Sequence, residues 1–381
     1  MRKTNILPNV SYLIKPASAS CNLRCPYCFY LDVSQNREIP NFGKMTSDTV
    51  DNLVQGAFEA VFENGTLQFA FQGGEPTLAG IGYFENFIKT VEIYKLKKPG
   101  VSVTYAIQTN GTTLNDKWID LFKQHDFLVG VSLDGYQENT DQFRIDIRKI
   151  GQFHNIMKGI ELLRSAGIEF NILTVLTKEL AKDPEKLYKF YRDNNFDYVQ
   201  IIPCLPNLDS DDNKDALDAR GFSSFYKVFY ELWAEDYHKG NGMSIGLFDN
   251  LIPMYLGIRP LQCGMLGQCS NQLVVEGDGG VYPCDFYVLD EYKIGDVNTD
   301  SVSELMTNSV VHRFLNEGNN PSPSCKTCPF KNICHGNCKR QNVVLFDETG
   351  YCGYQDFLQH TEKSMLEIAS KLSNRLNTTQ N

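Results

Sequence analysis

The chain has 381 residues, 42% of them hydrophobic, and a formal charge of −10 at neutral pH, with a sequence pI near 5.2. That length supports one large core or two smaller ones. The acidic balance argues against nucleic acid as a partner, since a nucleic-acid binder needs a basic face, but leaves a basic peptide open. No run of ~20 apolar residues offers a membrane span, and the opening MRKTNILPNV has no apolar stretch of the signal-peptide kind, so a cytoplasmic protein is expected.

Strands are predicted at 11–15, 67–71, 101–108, 128–133, 170–175 and 198–203, each short, β-branched or aromatic, and mostly apolar on both faces, as buried parallel strands are. Helices are predicted between them at 47–62, 82–96, 115–124, 152–165 and 184–194. Asn115 and Asp183 suit N-cap positions, and Pro184 suits the first helical position. Six β/α units in order imply parallel strands with right-handed crossovers. Six are too few for a closed eight-stranded barrel, so the expected fold is α/β: a partial (β/α)6 TIM-like barrel, open on one side. Barrel chemistry sits at the C-terminal strand ends. The loops holding Cys21–Cys28, Gly73–Pro76, Thr109–Gly111 and Asp134–Gly135 all follow strands and are expected to share that rim.

A polar stretch at 207–221 follows, then a helix at 222–239 whose stripe of Phe222, Phe225, Phe229 and Trp233 reads as core. Beyond Asn250 the chain is loop-rich and cysteine-dense until an amphipathic helix near 355–372. The expected division is a barrel over 1–240, a cysteine-rich domain over 241–372, and a polar tail over 373–381.

There are 12 cysteines. In a reducing compartment such spacings suggest metal rather than disulfides. Cys21, Cys25 and Cys28 form C-x3-C-x2-C, followed by Phe29. Three thiolates can hold three irons of a [4Fe–4S] cube, which takes four ligands when complete. The fourth iron then stays open for a cofactor; structural thiols or a zinc knuckle are the plainer reading. Eight more run from Cys263 through Cys269, Cys284, Cys325, Cys328, Cys334 and Cys338 to Cys352. Eight thiolates could ligate two full cubes, or two zinc ions. Cys204 stands apart and reads as a small buried hydrophobe.

The C-x3-C-x2-C run, with FQGGEP at 71–76, QTNG at 108–111 and SLDG at 132–135, resembles the radical S-adenosylmethionine (SAM) superfamily. The later cysteines resemble its SPASM extension. SYLIKPAS, AFQGGEPTLAG, FLVGVSLDG and VYPCDFYVLD together resemble the anaerobic sulfatase-maturating enzymes, over about Ser11 to Cys352. The resemblance implies SAM and three [4Fe–4S] clusters as cofactors. The first cluster would use Cys21, Cys25 and Cys28; the second Cys263, Cys269, Cys284 and Cys338; the third Cys325, Cys328, Cys334 and Cys352. Gly73, Gly74 and Glu75 would hold the SAM amino group, Ser132 and Arg144 its polar remainder, and Tyr30 and Gln72 would flank the cofactor and the target residue.

The implied reaction converts a sulfatase cysteine or serine, in Cys/Ser-x-Pro-x-Arg, to Cα-formylglycine. A deoxyadenosyl radical takes hydrogen from Cβ, a base takes the thiol or hydroxyl proton, and a second electron leaves, by the resemblance to an auxiliary cluster. The base implied is Asp285. Proton transfer from thiol to carboxylate runs uphill, since free aspartic acid titrates near ~4 and free cysteine near ~8.5. A ferredoxin or flavodoxin is the implied electron donor. The alternatives are a radical SAM enzyme forming a thioether or carbon crosslink in another ribosomal peptide, and a zinc-binding module without catalysis.

Overall fold

The computed structural model describes residues 6–208, 214–318 and 322–378, with side chains as far as 373. Residues 209–213 of the expected polar stretch and 379–381 of the expected tail lie outside the described residues. The strands, in chain order, are β1 (Leu7–Ile14), β2 (Val61–Phe71), β3 (Ser102–Thr109), β4 (Leu128–Ser132), β5 (Phe170–Leu176), β6 (Tyr198–Pro203), β7 (Ser244–Ile245), β8 (Val274–Val275), β9 (Gly280–Tyr282) and β10 (Gly295–Asp296). β1 to β6 are the six predicted strands, and the five predicted helices separate them, giving a mixed α/β fold on parallel strands.

The chain forms two compact units. The first comprises Met1–Ser132, Thr140–Phe170 and Ser270–Asn316. Its strands run β10-β9-β8-β1-β2-β3-β4. β8, β1, β2, β3 and β4 are parallel, whereas β9 pairs antiparallel with β8, and β10 antiparallel with β9. Residues Tyr12, Phe69 and Tyr105 are in register, and every second residue from there meets the helices. Phe69 packs on Phe87 at 5.0 Å, Phe71 on Phe84 at 4.9 Å, and Phe84 on Trp118 at 5.1 Å. The opposite face is more polar than predicted. Ser11, Gln68 and Thr104 share a rung there, and Ser11 Oγ donates to Gln68 Oε1 at 3.1 Å. None of these three is buried, so their polar groups keep access to water and need no apolar neighbours.

The second unit comprises Leu133–Asn139, Asn171–Cys269 and Glu317–Asn381. In it β5, β6 and β7 pair in parallel. The helix Ala219–His238 buries Phe222, Phe225, Phe229 and Trp233, each contributing about 1.5–3 kcal/mol through burial. The C-terminal helix Gly353–Thr378 supplies part of the opposing surface, with Phe222 against Tyr354 at 5.8 Å and Tyr226 against Phe357 at 5.7 Å.

Capping follows the sequence in part. Asn115 accepts from the Lys117 amide at 3.1 Å. Asp183 occupies an N-cap position without a side-chain cap; its carboxylate instead accepts from Tyr136 Oη at 3.3 Å. No helix among the described residues is long and apolar enough to cross a membrane.

Candidate active site and thiol clusters

β1 delivers the chain to the cysteine loop. Cys21, Cys25 and Cys28 are half-buried free thiols, and Cys28 caps the short helix Phe29–Gln35. Burial pushes the Cys21 thiol up to about 11, against the pull of the Leu23 amide. Burial also raises Cys28, which Arg144 and Lys15 partly offset. Thiols held this way ionise readily only against a metal, which deprotonates a coordinating thiol outright. The set fits three corners of an iron–sulfur cube in number and chemistry.

The turn after β2 meets this loop backbone to backbone. The Gly74 amide donates to Ser18 O at 2.9 Å and the Glu75 amide to Ser20 O at 2.8 Å. A Cβ on Gly74 would lie 2.1 Å from Ser20 O, and Gly73 has φ +124°, so both positions require glycine. Glu75 is 1% exposed. Its carboxylate accepts from the Thr77 amide, Thr77 Oγ1, Thr109 Oγ1 and the Asn110 amide at 2.6–3.1 Å. Burial raises its pKa while these donors oppose the rise. Glu75 thus ties the β2 and β3 rim loops together. Asn110 in turn donates to Asn22 Oδ1 at 2.8 Å, linking the β3 loop to the cysteine loop.

Ser132 ends β4 half-buried and accepts from Gln108 Nε2 at 3.0 Å. Arg144, for which a surface ion pair is the plainer sequence reading, is instead buried, with its guanidinium 5.8 Å from the Tyr27 ring centre.

Asp285 stands in a short turn directly after Cys284, which follows β9. Lys15 Nζ, at the end of β1, donates to its Oδ1 at 2.5 Å, and Gln72 Nε2, at the end of β2, donates to its Oδ2. Phe29 packs edge-on against Phe286 at 4.8 Å, which joins the cysteine loop to the Asp285 turn. Lys15 Nζ lies 3.7 Å over the Tyr30 ring. Tyr30 Oη donates to Glu276 Oε1, and Arg37 Nη1 donates to the same oxygen at 2.7 Å. The Arg37 and Glu276 side chains have no solvent exposure.

No motif in the sequence marks Lys15, Arg37 or Glu276. The one local signal was a charged residue closing each of the apolar runs SYLI and LVV.

In the second unit Cys325, Cys328, Cys334 and Cys352 line one pocket with Phe330, Leu345, Phe346 and Leu358. Burial pushes Cys334 up to about 12, and the other three thiols add to the rise. His335, Gly336 and Asn337 all have positive φ, turning the chain tightly between Cys334 and Cys338. Cys263, Cys269 and Cys338 are mutual neighbours: burial raises Cys269, and Cys338 and Cys263 raise it further. Among the described residues no three His, Cys, Asp or Glu side chains converge as one metal ion would need. Cys204 is buried, as expected for a small hydrophobe, and burial pushes its thiol up to about 12.

Residues 16–191 match the model of the radical SAM superfamily, and residues 263–329 match the SPASM iron–sulfur cluster-binding domain. The chain is 40% identical, over 376 residues, to the cysteine-type anaerobic sulfatase-maturating enzyme of Clostridium novyi; the match covers 97% of this chain and 100% of that protein. It is 34% identical to the cysteine-type enzyme of Clostridium perfringens, covering 96% and 100%. A solved structure described as native anSMEcpe with bound AdoMet and Cp18Cys peptide superposes with a TM-score of 0.88 at 33% identity, over 96% of this chain and 100% of that one.

Proposed function

The chain belongs to the radical SAM family of anaerobic sulfatase-maturating enzymes, and from that premise we propose that it oxidises a sulfatase active-site cysteine to Cα-formylglycine. Cysteine is preferred over serine as the target because the relatives at 40% and 34% identity are both cysteine-type enzymes. The observation that carries the reading is the surroundings of Asp285. A carboxylate gripped by two strand-end residues adjoins the cysteine loop through Phe29 and Phe286.

When bound, the cofactors supply a 5′-deoxyadenosyl radical that takes one hydrogen atom from the target Cβ. The chain's own residues do the rest. Gly73 and Gly74 let the β2 turn approach the cofactor, and Glu75 braces that turn. Ser132 and Arg144 offer polar groups to the remainder of SAM. Asp285 receives the target's thiol proton; each of its oxygens has one protein donor and a further lone pair free for that proton. Tyr30 and Gln72 border the target residue. An auxiliary cluster held by the later cysteines would supply the acceptor for the second electron, and the resulting thioaldehyde reacts with water, giving aldehyde and hydrogen sulfide. Three [4Fe–4S] clusters are proposed on the cysteine groupings that the family resemblance implies, with a ferredoxin or flavodoxin as electron donor.

The test is anaerobic turnover of a peptide carrying Cys-x-Pro-x-Arg with SAM and dithionite, read by mass spectrometry. Replacement of the thiol by an aldehyde, together with 5′-deoxyadenosine, is the expected result. Deoxyadenosine with an unchanged peptide would refute the substrate assignment.

A further inference from the structure

We propose that Lys15 is a positioning residue for Asp285, clamping the carboxylate so that radical formation leads on to aldehyde. The inference rests on the reading of Asp285 as the base.

Lys15 has no solvent exposure while Asp285 keeps 14%. Lysine is almost never fully buried unless paired, and a buried ion pair is often no more stable than an apolar pair of the same volume. Stability alone therefore does not explain a lysine here. Its surroundings do. Lys15 grips Oδ1 while Gln72 grips Oδ2, so the plane of the carboxylate is fixed from the ends of two adjacent strands. The Lys15 side chain is itself held on two sides. Its ammonium lies over the Tyr30 ring, and that ring is anchored through Glu276 to Arg37. Its stem crosses Gly73, where an added Cβ would stand 3.1 Å from Lys15 Cβ and Cγ. A chain of contacts from Arg37 to Asp285 thus ends on the carboxylate that is proposed to receive the proton. A base must stand within hydrogen-bond reach of its proton to act, and a loose carboxylate would leave the substrate radical to be quenched by one electron from the dithionite in the assay and one proton from water, giving deoxyadenosine without aldehyde.

The experiment uses the full chain with its clusters reconstituted. It compares wild type with Lys15→Met, which keeps the stem and removes the donor, and Lys15→Gln, which keeps a polar end too short to reach Oδ1. Iron content, the peptide KM and both products are measured. The clamp predicts iron content and deoxyadenosine formation within about twofold of wild type, and aldehyde per deoxyadenosine lowered about tenfold or more in whichever variant accumulates. A purely structural lysine predicts both products falling together at a constant ratio, and that result would overturn the proposal, as would an unchanged ratio at full rate. Wild type run alongside separates the two readings. Wild type without aldehyde overturns the maturation reading and the clamp with it; normal wild-type conversion with an unchanged ratio in the variants overturns the clamp alone.

Discussion

Replacing Gly74 by alanine puts one methyl group where the structure has no room. The new Cβ would stand 2.1 Å from Ser20 O and 2.6 Å from Ser20 C, both backbone atoms, where ordinary contact begins at 3.4 Å. The loop carrying Ser20 must therefore retreat by about 1.3 Å, the difference between 3.4 and 2.1 Å. The amides of Gly74 and Glu75 donate across that gap at 2.9 and 2.8 Å; the same retreat stretches both hydrogen bonds past useful length. Two lost hydrogen bonds cost about 0.5–1.5 kcal/mol each, and the overpacking about 1–3 kcal/mol, giving roughly 2–6 kcal/mol in total. The displaced loop is the one that carries Cys21, and a shift of ~1 Å in a positioning element can cost ~10²-fold in rate. Thermal unfolding and anaerobic deoxyadenosine formation read the two effects. Gly56→Ala, in the middle of the helix Ser47–Ala60 with nothing within 4 Å of the new Cβ, is the control and should be neutral or slightly stabilising. A Gly74→Ala protein with wild-type melting and wild-type SAM cleavage would show that the two loops do not touch as described.

Four further outcomes are expected. Asp285→Asn keeps the shape of the side chain but not its basicity, so aldehyde formation should fall by ~10²-fold while SAM cleavage falls far less, as product analysis of one reaction mixture will show. Arg37→Met leaves Glu276 buried without its cation and should cost about 3–5 kcal/mol, read as a lowered melting temperature. Asp356 is held by Lys227, Tyr351 and Ser223. Although burial opposes them, these partners lower its pKa from 3.8 to about 2. Its stabilisation is therefore present above pH 3.8 and is lost as pH falls through about 2. Because the side chain is over a third exposed, Asp356→Asn should cost only about 1 kcal/mol or less at neutral pH, and chemical denaturation should find that difference shrinking across the acid range. Cys352→Ala should lose one cluster's iron and sulfide by chemical assay, whereas Cys204→Ala should lose none.

The order of strands and helices could be read from the sequence because each depends on local periodicity. The cysteine loop could be picked out because three cysteines lie within eight residues, and their C-x3-C-x2-C spacing together with the later motifs carries the family resemblance. The long-range contacts could not. Lys15 and Asp285 are separated by 270 positions, and Arg37 and Glu276 by 239; no local pattern pairs them. Glu75 illustrates the same limit. The sequence presented it as an acid for an ammonium group, yet two of its four donors, Thr109 and Asn110, come from the next strand's loop and become visible only once β2 and β3 pair. β7 to β10 escaped because a strand of two or three residues carries no period.

The decisive measurement is the fate of deuterium placed on Cβ of the target cysteine in a Cys-x-Pro-x-Arg peptide. The account predicts deuterium in 5′-deoxyadenosine and one aldehyde formed for each labelled deoxyadenosine. Deoxyadenosine without the label, or a labelled deoxyadenosine beside a peptide that carries no aldehyde, would contradict it.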